Sequence, residues 1–476
     1  MSMQVLEDSI HFITGSAGDA NAGGGCTQTA WDASGSMSDF LNTTTGAPVA
    51  DETSVAVTES STQYRDEPLE KCIKVTKNGQ FGSVVAGTIV YFSATAYGAE
   101  RSEVLVVHAD YLILDRIYTL NQADGVVKAG GAFDGIQSAL DETVTAGNDG
   151  NYYQRLIYTN KNEESLGAEV DVDANAGSSY TRKAMVIVEG FETVPGDIAY
   201  DPADSDYTGT DFVTYDPTAA GQSLFVFGAS EANHEFRNIE IANITNSDSY
   251  YMWDFRANSI RNIVLRNCKT SGTGRQVSTK QAAHTDLAHT VAGILILDCD
   301  FSNVGGSFTK LSHGILMAIN SKFNVLYTDS SLVASFVAIN CTMSRIQLQS
   351  YACLMNCVML APSTDQGAVY NEKDETTTIV LNCIINGDGS NPNLRYTKGA
   401  VLYSDYNCVY NGSTNYQFGW PVGPNDITSN PLFVDASGGD YRLKPTSPCL
   451  NTGKSTINSG FTSMGAWLRK SLLGVR

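Results

Sequence analysis

The chain has 476 residues and a net charge of −21, from 51 acidic and 30 basic side chains. That balance excludes the basic footprint that nucleic-acid binding needs and argues against attraction to anionic membranes. Only 17% of residues are charged and 43 are glycine, a composition that suits a turn-rich β protein and not a coiled coil or a disordered chain.

Residues 1–70 hold eleven acids and one base, Arg65, and are rich in Gly, Ser and Thr. They are expected to form an arm or an outer strand layer, with Trp31 as an anchor. The opening, MSMQVLEDSIHF, lacks the basic region and apolar core of a secretory signal. No run of 18 apolar residues occurs, so no membrane span is expected. Residues 71–125 change character: KCIKVT, an Asn78-Gly79 turn, SVVAGTIVYFS and EVLVVHADYLIL read as four or five antiparallel strands. A small five-stranded barrel or sandwich is expected there.

Residues 131–145 place Phe133, Ile136, Leu140 and Val144 on one helical stripe. A short helix at that point would cap the open end of a β coil on its C-terminal side. From Asn243 onward one phrase recurs: an alternating apolar run, then Asn or Asp, then a small residue. It ends at Cys268, Cys299, Ser321, Cys341, Cys357, Cys383 and Cys408, and successive corners step by 24, 31, 22, 20, 16, 26 and 25 residues. A period of 20–30 residues in strand-like units is a solenoid signature. The reading is an all-β chain: a right-handed parallel β-helix over 126–467, with cap helix 131–145, closing segment 430–467 and a basic tail at 468–476. Alternate residues such as Ile294 and Ile296 face the interior. Asn267, Asp298, Asn320, Asn340, Asn356, Asn382 and Asn407 should stack as a ladder of left-handed corners, which Asn tolerates best among non-glycine residues. The small residues behind them should stack as an interior column. Neighbouring rungs lie about 4.8 Å apart, wider than a disulfide's Cβ spacing, so free thiols are expected.

Two insertions, 270–291 and 361–377, should form lateral loops. Asp298 and Asp300 are the best carboxylate candidates, yet the matching positions on neighbouring rungs are Lys269, Lys322, Thr342, Val358 and Ile384, so a structural role is preferred. The loop acids Asp365, Glu372, Asp374 and Glu375 read as solvated charge rather than a calcium site. His284, Asp286 and His289 lack further ligands in a fixed frame for zinc, and His313 reads as a strand-edge or subunit contact. Tyr250, Tyr251 and Trp253 form an aromatic patch suited to a glycan or a subunit contact. No catalytic, metal or cofactor residue is assigned.

Residues 441–476 hold six bases and no acid. Acidic and basic ends are read as solvated surface, with head-to-tail contact as the alternative.

Three stretches carry a resemblance. Gly130, Gly131, Phe133, Ile136, Gln137, Ala139 and Leu140 resemble the cap that opens pectate-lyase-like β-helix proteins. NPLFVDASGGDYRLKPTSPCLNTG at 430–453 resembles the closing segment of many such proteins, with Asn430 and Cys449 as departures. Phe81, Gly87, Ile89, Tyr91, Gly98, Val104 and Val107, after the DANAGGG stretch, resemble a β module that precedes β-helices in phage proteins. The resemblance implies a phage virion protein. It would be a homotrimeric capsid decoration protein bound to the major capsid protein, a tailspike or tail fibre binding or depolymerising a host surface polysaccharide, or a non-catalytic carbohydrate-binding or adhesin module. The short tail after the closing segment favours decoration, because a tailspike of this type usually continues into a trimerisation domain.

Overall fold

The computed structural model describes residues 9–13, 24–63, 71–141, 155–160, 170–171, 186–191, 213–215, 225–227, 235–246, 253–255, 259–270, 277–278, 290–302, 314–328, 334–348, 351–360, 367–371, 376–396 and 401–453. Parallel strands dominate. Sheet A has twelve strands. It starts where Ser9–Ile13 pairs antiparallel with Cys26–Thr27 and parallel with Arg155–Asn160. It then climbs through Val186–Phe191, Glu235–Ala242, Ser259–Arg266, Thr290–Leu297, Gly314–Ile319, Ala334–Ile339, Tyr351–Met355 and Thr377–Leu381 to Val401–Asp405. From Glu235–Ala242 upward, each pass turns a corner into sheet B, whose main path runs from Val213–Tyr215 to Cys408–Tyr410. A third sheet stands low down, built by Phe225–Phe227, Trp253–Phe255 and their neighbours, and higher up Val369–Asn371, Leu394–Tyr396 and Tyr416–Gln417 form a branch of sheet B that pairs with Thr342–Leu348. This is a parallel β-solenoid.

Its core follows from strand alternation. Ile263 and Leu265, Ile294 and Ile296, Leu316 and Ala318, and Phe336 and Ala338 are buried at matching positions of successive rungs. Each large aliphatic side chain buried this way contributes about 1.5–3 kcal/mol before chain entropy is counted.

The antiparallel module is a closed barrel of six strands, not five. Its extra strand, Ala50–Gln63, comes from within the stretch expected as an arm or an outer strand layer, and Gln122–Ala129 closes the ring against it. The sequence hides this strand because only Val55, Val57 and Ser60 of its middle turn inward and the rest is acidic or hydroxylated. The N-terminal segment is likewise structured. Ser9–Ile13 is a rung of sheet A, and Ile10, Phe12, Cys26, Phe40 and Phe191 form a junction core with Trp31 packed against it.

Two glycines make this junction possible. Gly25 has φ +114°, and a Cβ there would lie 1.9 Å from the Ile10 carbonyl oxygen. Gly130 has φ +66°, and a Cβ there would meet the Phe40 carbonyl oxygen at 1.9 Å. Both positions combine left-handed backbone with close approach of a second chain segment. Just beyond, a short helix spans Ile136–Asp141. Phe133, Ile136, Ala139 and Leu140 all enter the solenoid core at its lower end. Val144 lies outside the described residues.

At the top, Phe433–Asp435 and Asp440–Leu443 form a hairpin. Phe433 and Cys449 pack over Val358, Ile384 and Cys408 on the outer side of sheet B. The Ser447 hydroxyl donates to the Pro431 carbonyl and accepts the Cys449 N–H at 3.1 Å, which ties the closing segment to itself. Among the described residues no helix is long and apolar enough to cross a membrane.

Candidate functional site

The corner between sheets A and B is the most ordered chemical feature of the rod. Asn243, Asn267, Asp298, Asn320, Asn340, Asn356 and Asn382 have φ between 51° and 58°. Each corner N–H donates to the residue that ends the next sheet A strand, as Asn267 does to Leu297 and Asn340 to Met355. The side-chain amides also link rung to rung: Asn267 Nδ2 donates to Asn243 Oδ1 at 2.7 Å, and Asn340 Nδ2 to Asn320 Oδ1 at 3.2 Å. Asp298 interrupts the ladder. A carboxylate has no N–H to offer, and Asn267 Oδ1 on the adjacent rung is buried and accepts no hydrogen bond; Asn340 Oδ1 and Asn356 Oδ1 are in the same state although the next corners there are Asn.

Behind each corner stands the interior column. Cys268, Cys299, Ser321, Cys341, Cys357 and Cys383 are buried. Smallness is only half the reason for cysteine there. The left-handed corner turns the carbonyl two residues back toward the interior, and the thiol donates to it. Cys299 Sγ reaches the Leu297 oxygen at 3.2 Å and Cys357 Sγ the Met355 oxygen at 3.3 Å, while Ser321 Oγ does the same to Ile319 at 2.9 Å. Burial holds the thiols of Cys299, Cys341 and Cys357 well above the usual thiol range. No disulfide joins any of the ten cysteines.

The last rung departs from the expected register by one residue. Tyr406, not Asn407, takes the left-handed corner, with φ 56°. Asn407 drops into the interior column, where its Oδ1 accepts the Cys383 N–H at 2.9 Å. Cys408 therefore pairs with Ile384 and lies on the outer side of sheet B under the closing segment. Two carboxylates fix this rung. Asp426 accepts from Ser404 Oγ, Asn407 N and Nδ2, Tyr416 OH and Gly423 N, at 2.7–3.2 Å. Asp405 Oδ1 accepts the N–H groups of Tyr406 and Asn425. Burial and the Asp426 charge push the Tyr416 hydroxyl above its ordinary range.

Asp300 lies outward on sheet B. Its carboxylate meets Lys322 Nζ at 3.5 Å and accepts from the Ser302 hydroxyl and N–H. Burial pushes its pKa up, but the Lys322 ammonium and the Ser302 hydrogen bonds outweigh burial and hold it below the ordinary carboxylate range.

A third acidic group was not legible in the sequence. Arg266 Nε binds Glu240 Oε1 at 2.7 Å and its Nη2 binds Glu189 Oε2 at 3.3 Å. The corner amide of Asn243 donates to Glu189 Oε1 at 3.2 Å. Burial raises the Glu189 pKa, and the guanidinium only partly offsets it. Carboxylates on adjacent rungs are the pattern glycoside hydrolysis uses. Here a guanidinium bridges them. The three residues lie in separate strands, so only their outward positions at the ends of matched runs could have signalled the cluster.

On the upper branch of sheet B the Arg395 guanidinium lies 5.1 Å from the Tyr370 ring centroid and 5.3 Å from that of Phe418, which is 58% exposed. Trp253 lies in a strand between Phe225 and Val277. Tyr250 and Tyr251 lie outside the described residues, as do His284, Asp286, His289, His313, Asp365, Glu372, Asp374 and Glu375. Among the described residues no three His, Cys, Asp or Glu side chains converge as a metal site would require.

A scan against protein-family models finds no match, and a search of curated proteins finds none. Among solved structures the chain is similar to the tailspike protein gp49 from Pseudomonas phage LKA1. The identity is 10%, the match covers 76% of this chain and 63% of that one, and the TM-score is 0.24. The match thus spans less than two thirds of that chain's length, and the solenoid architecture rests on the strand pairing described above.

Proposed function

We propose that this chain is a non-enzymatic structural protein of a phage virion, a homotrimeric rod displayed on the capsid as a decoration protein in contact with the major capsid protein. One observation carries the preference for scaffold over catalyst. Glu189, Glu240, Asp300, Asp405 and Asp426, the carboxylates best placed for chemistry on the rungs, are each bonded by the rod's own donors. A general acid or base needs a free oxygen aimed at substrate; these oxygens hold corners and turns. The β module ahead of the solenoid, whose sequence resembles one that precedes β-helices in phage proteins, supports the phage assignment.

A second reading is a tailspike or tail fibre that binds a host surface polysaccharide. The stack of Tyr370, Arg395 and exposed Phe418 favours it, because aromatic faces along a rod suit sugar rings. Mass spectrometry of gradient-purified virions from a culture that makes the protein separates the two. Copies near the number of major capsid subunits support decoration, a few copies per particle support the tail, and absence of the chain from particles overturns both.

A further inference from the structure

In an ordinary half-exposed strand the outward residues are polar. Sheet A breaks that rule over its upper six strands. The middle outward column reads Leu295, Met317, Val337, Cys353, Ile379 and Tyr403, in register across successive rungs. All six are half-buried or exposed, with Tyr403 46% exposed. The flanking column is mixed but uncharged: Ile315 at 52% and Val401 at 64% share it with Ser335, Tyr351 and Thr377. The third column, nearest the corners, is aliphatic up to Leu381 and ends at Asp405, whose carboxylate is bonded to Tyr406 and Asn425. No other acid or base stands in these columns.

We infer that this face is an assembly surface, and that its occupant is the same face of another copy of this chain. The inference rests on the trimeric reading proposed for the chain and names the surface through which the trimer forms. Three features select a copy of the chain over other partners. The first is size. Six strands at about 4.8 Å spacing and three columns about 7 Å apart give a patch of roughly 500 Å². Three such faces meeting about a common axis would bury roughly 1,500 Å² in all, above the ~1,000 Å² a specific assembly needs, whereas one such patch left open is already among the largest on ordinary monomers. The second is charge. A chain of net charge −21 repels its own copies everywhere except where the facing surface is uncharged, and the one charged side chain in these columns, Asp405, is buried at the corner edge. The third is repetition. Rows of side chains at strand spacing on one copy match the gaps between rows on another, since the repeat is the same. The corresponding apolar column on sheet B is already covered by the closing segment.

The test is the mass of the purified full chain by light scattering across a concentration series, with three variants. V337E/I379E places two charges in the middle of the face. V401E places one at its most exposed position and leaves the fold intact even where the double variant does not. T342E, on the outer side of sheet B, is the control. Circular dichroism melting confirms that each variant is folded. The expected result is a three-chain mass for the parent and T342E, collapse to the single-chain 51.0 kDa for V337E/I379E, and an apparent dissociation constant at least tenfold higher for V401E. A two-chain mass that collapses in the same variants sustains the face and overturns the trimer. An assembly indifferent to all three variants overturns this inference and leaves the trimeric reading standing. A parent chain that stays single at ~100 µM, far above the micromolar range of weak specific complexes, overturns both.

Discussion

The two long sheets share a corner, a core and a rung spacing, yet their outer faces are treated in opposite ways. On sheet B the lower outward positions carry Lys269, Asp300 and Lys322, and the upper ones, Val358, Ile384 and Cys408, are roofed by Phe433 and Cys449. On sheet A the upper outward positions are just as apolar, but the described chain leaves them uncovered. Inward packing alone would build either sheet. What distinguishes them is whether the chain supplies its own cover, and an apolar face without one is a place for a partner.

The largest predicted effect lies on the covered face. Phe433→Ala should loosen the closing segment and cost about 3 kcal/mol in chemical denaturation, since the side chain is 8% exposed within its own small core. A loss under ~0.5 kcal/mol would mean the segment is not a cover. The shared corner comes next. Asn340→Leu should cost about 2 kcal/mol, from left-handed strain and the lost amide bond to Asn320, measured the same way. The opposite change at the ladder's one acidic corner should help. Asp298→Asn offers a donor to the orphaned Asn267 oxygen and should stabilise by about 1 kcal/mol.

The smallest effect concerns the charged part of sheet B. The folded pKa of Asp300 is lowered, so its contribution to stability is present above the ordinary carboxylate value of about 3.9 and is lost as pH falls through its lower folded value. Lys322→Met removes much of the cause. Between pH 5 and pH 2 the variant should lose less stability than the parent, by well under 1 kcal/mol for so exposed a pair. An identical pH profile would show that Lys322 does not tune Asp300.

Much of this was legible in the sequence wherever the signal was periodic. Six of the seven forecast ladder positions have left-handed backbone, and the cap motif enters the core through Phe133, Ile136 and Leu140. The seventh failed for a local reason. SDYNC offers Asn407 to the corner and Cys408 to the column. The carboxylates of Asp405 and Asp426 bond Tyr406 N and Asn407 N instead and draw the turn one residue earlier. Strain at Tyr406 is the expected cost, roughly 1–2 kcal/mol. Ser9–Ile13 could not be read as a rung because its partner, Arg155–Asn160, is about 145 residues away and no repeat phrase links them. The barrel strand Ala50–Gln63 carried too few apolar residues to stand out. The open face of sheet A was present in the letters LILDC, LMAINS and FVAINC. Yet a doubly apolar strand reads the same whether chain, partner or nothing covers its second side.

The most direct test of the whole account is an intact-mass count of thiols that react with a maleimide in the native state. Nine cysteines are buried in the rod, the barrel and their junction, and Cys353 alone stands on the open face of sheet A. The account predicts no labelled thiol in the assembled parent chain and one, Cys353, in the single-chain V337E/I379E variant. Labelling of Cys353 in the parent at the rate of an unfolded thiol would contradict the occupied face, and rapid labelling of Cys268, Cys299 or Cys341 would contradict the closed interior column itself.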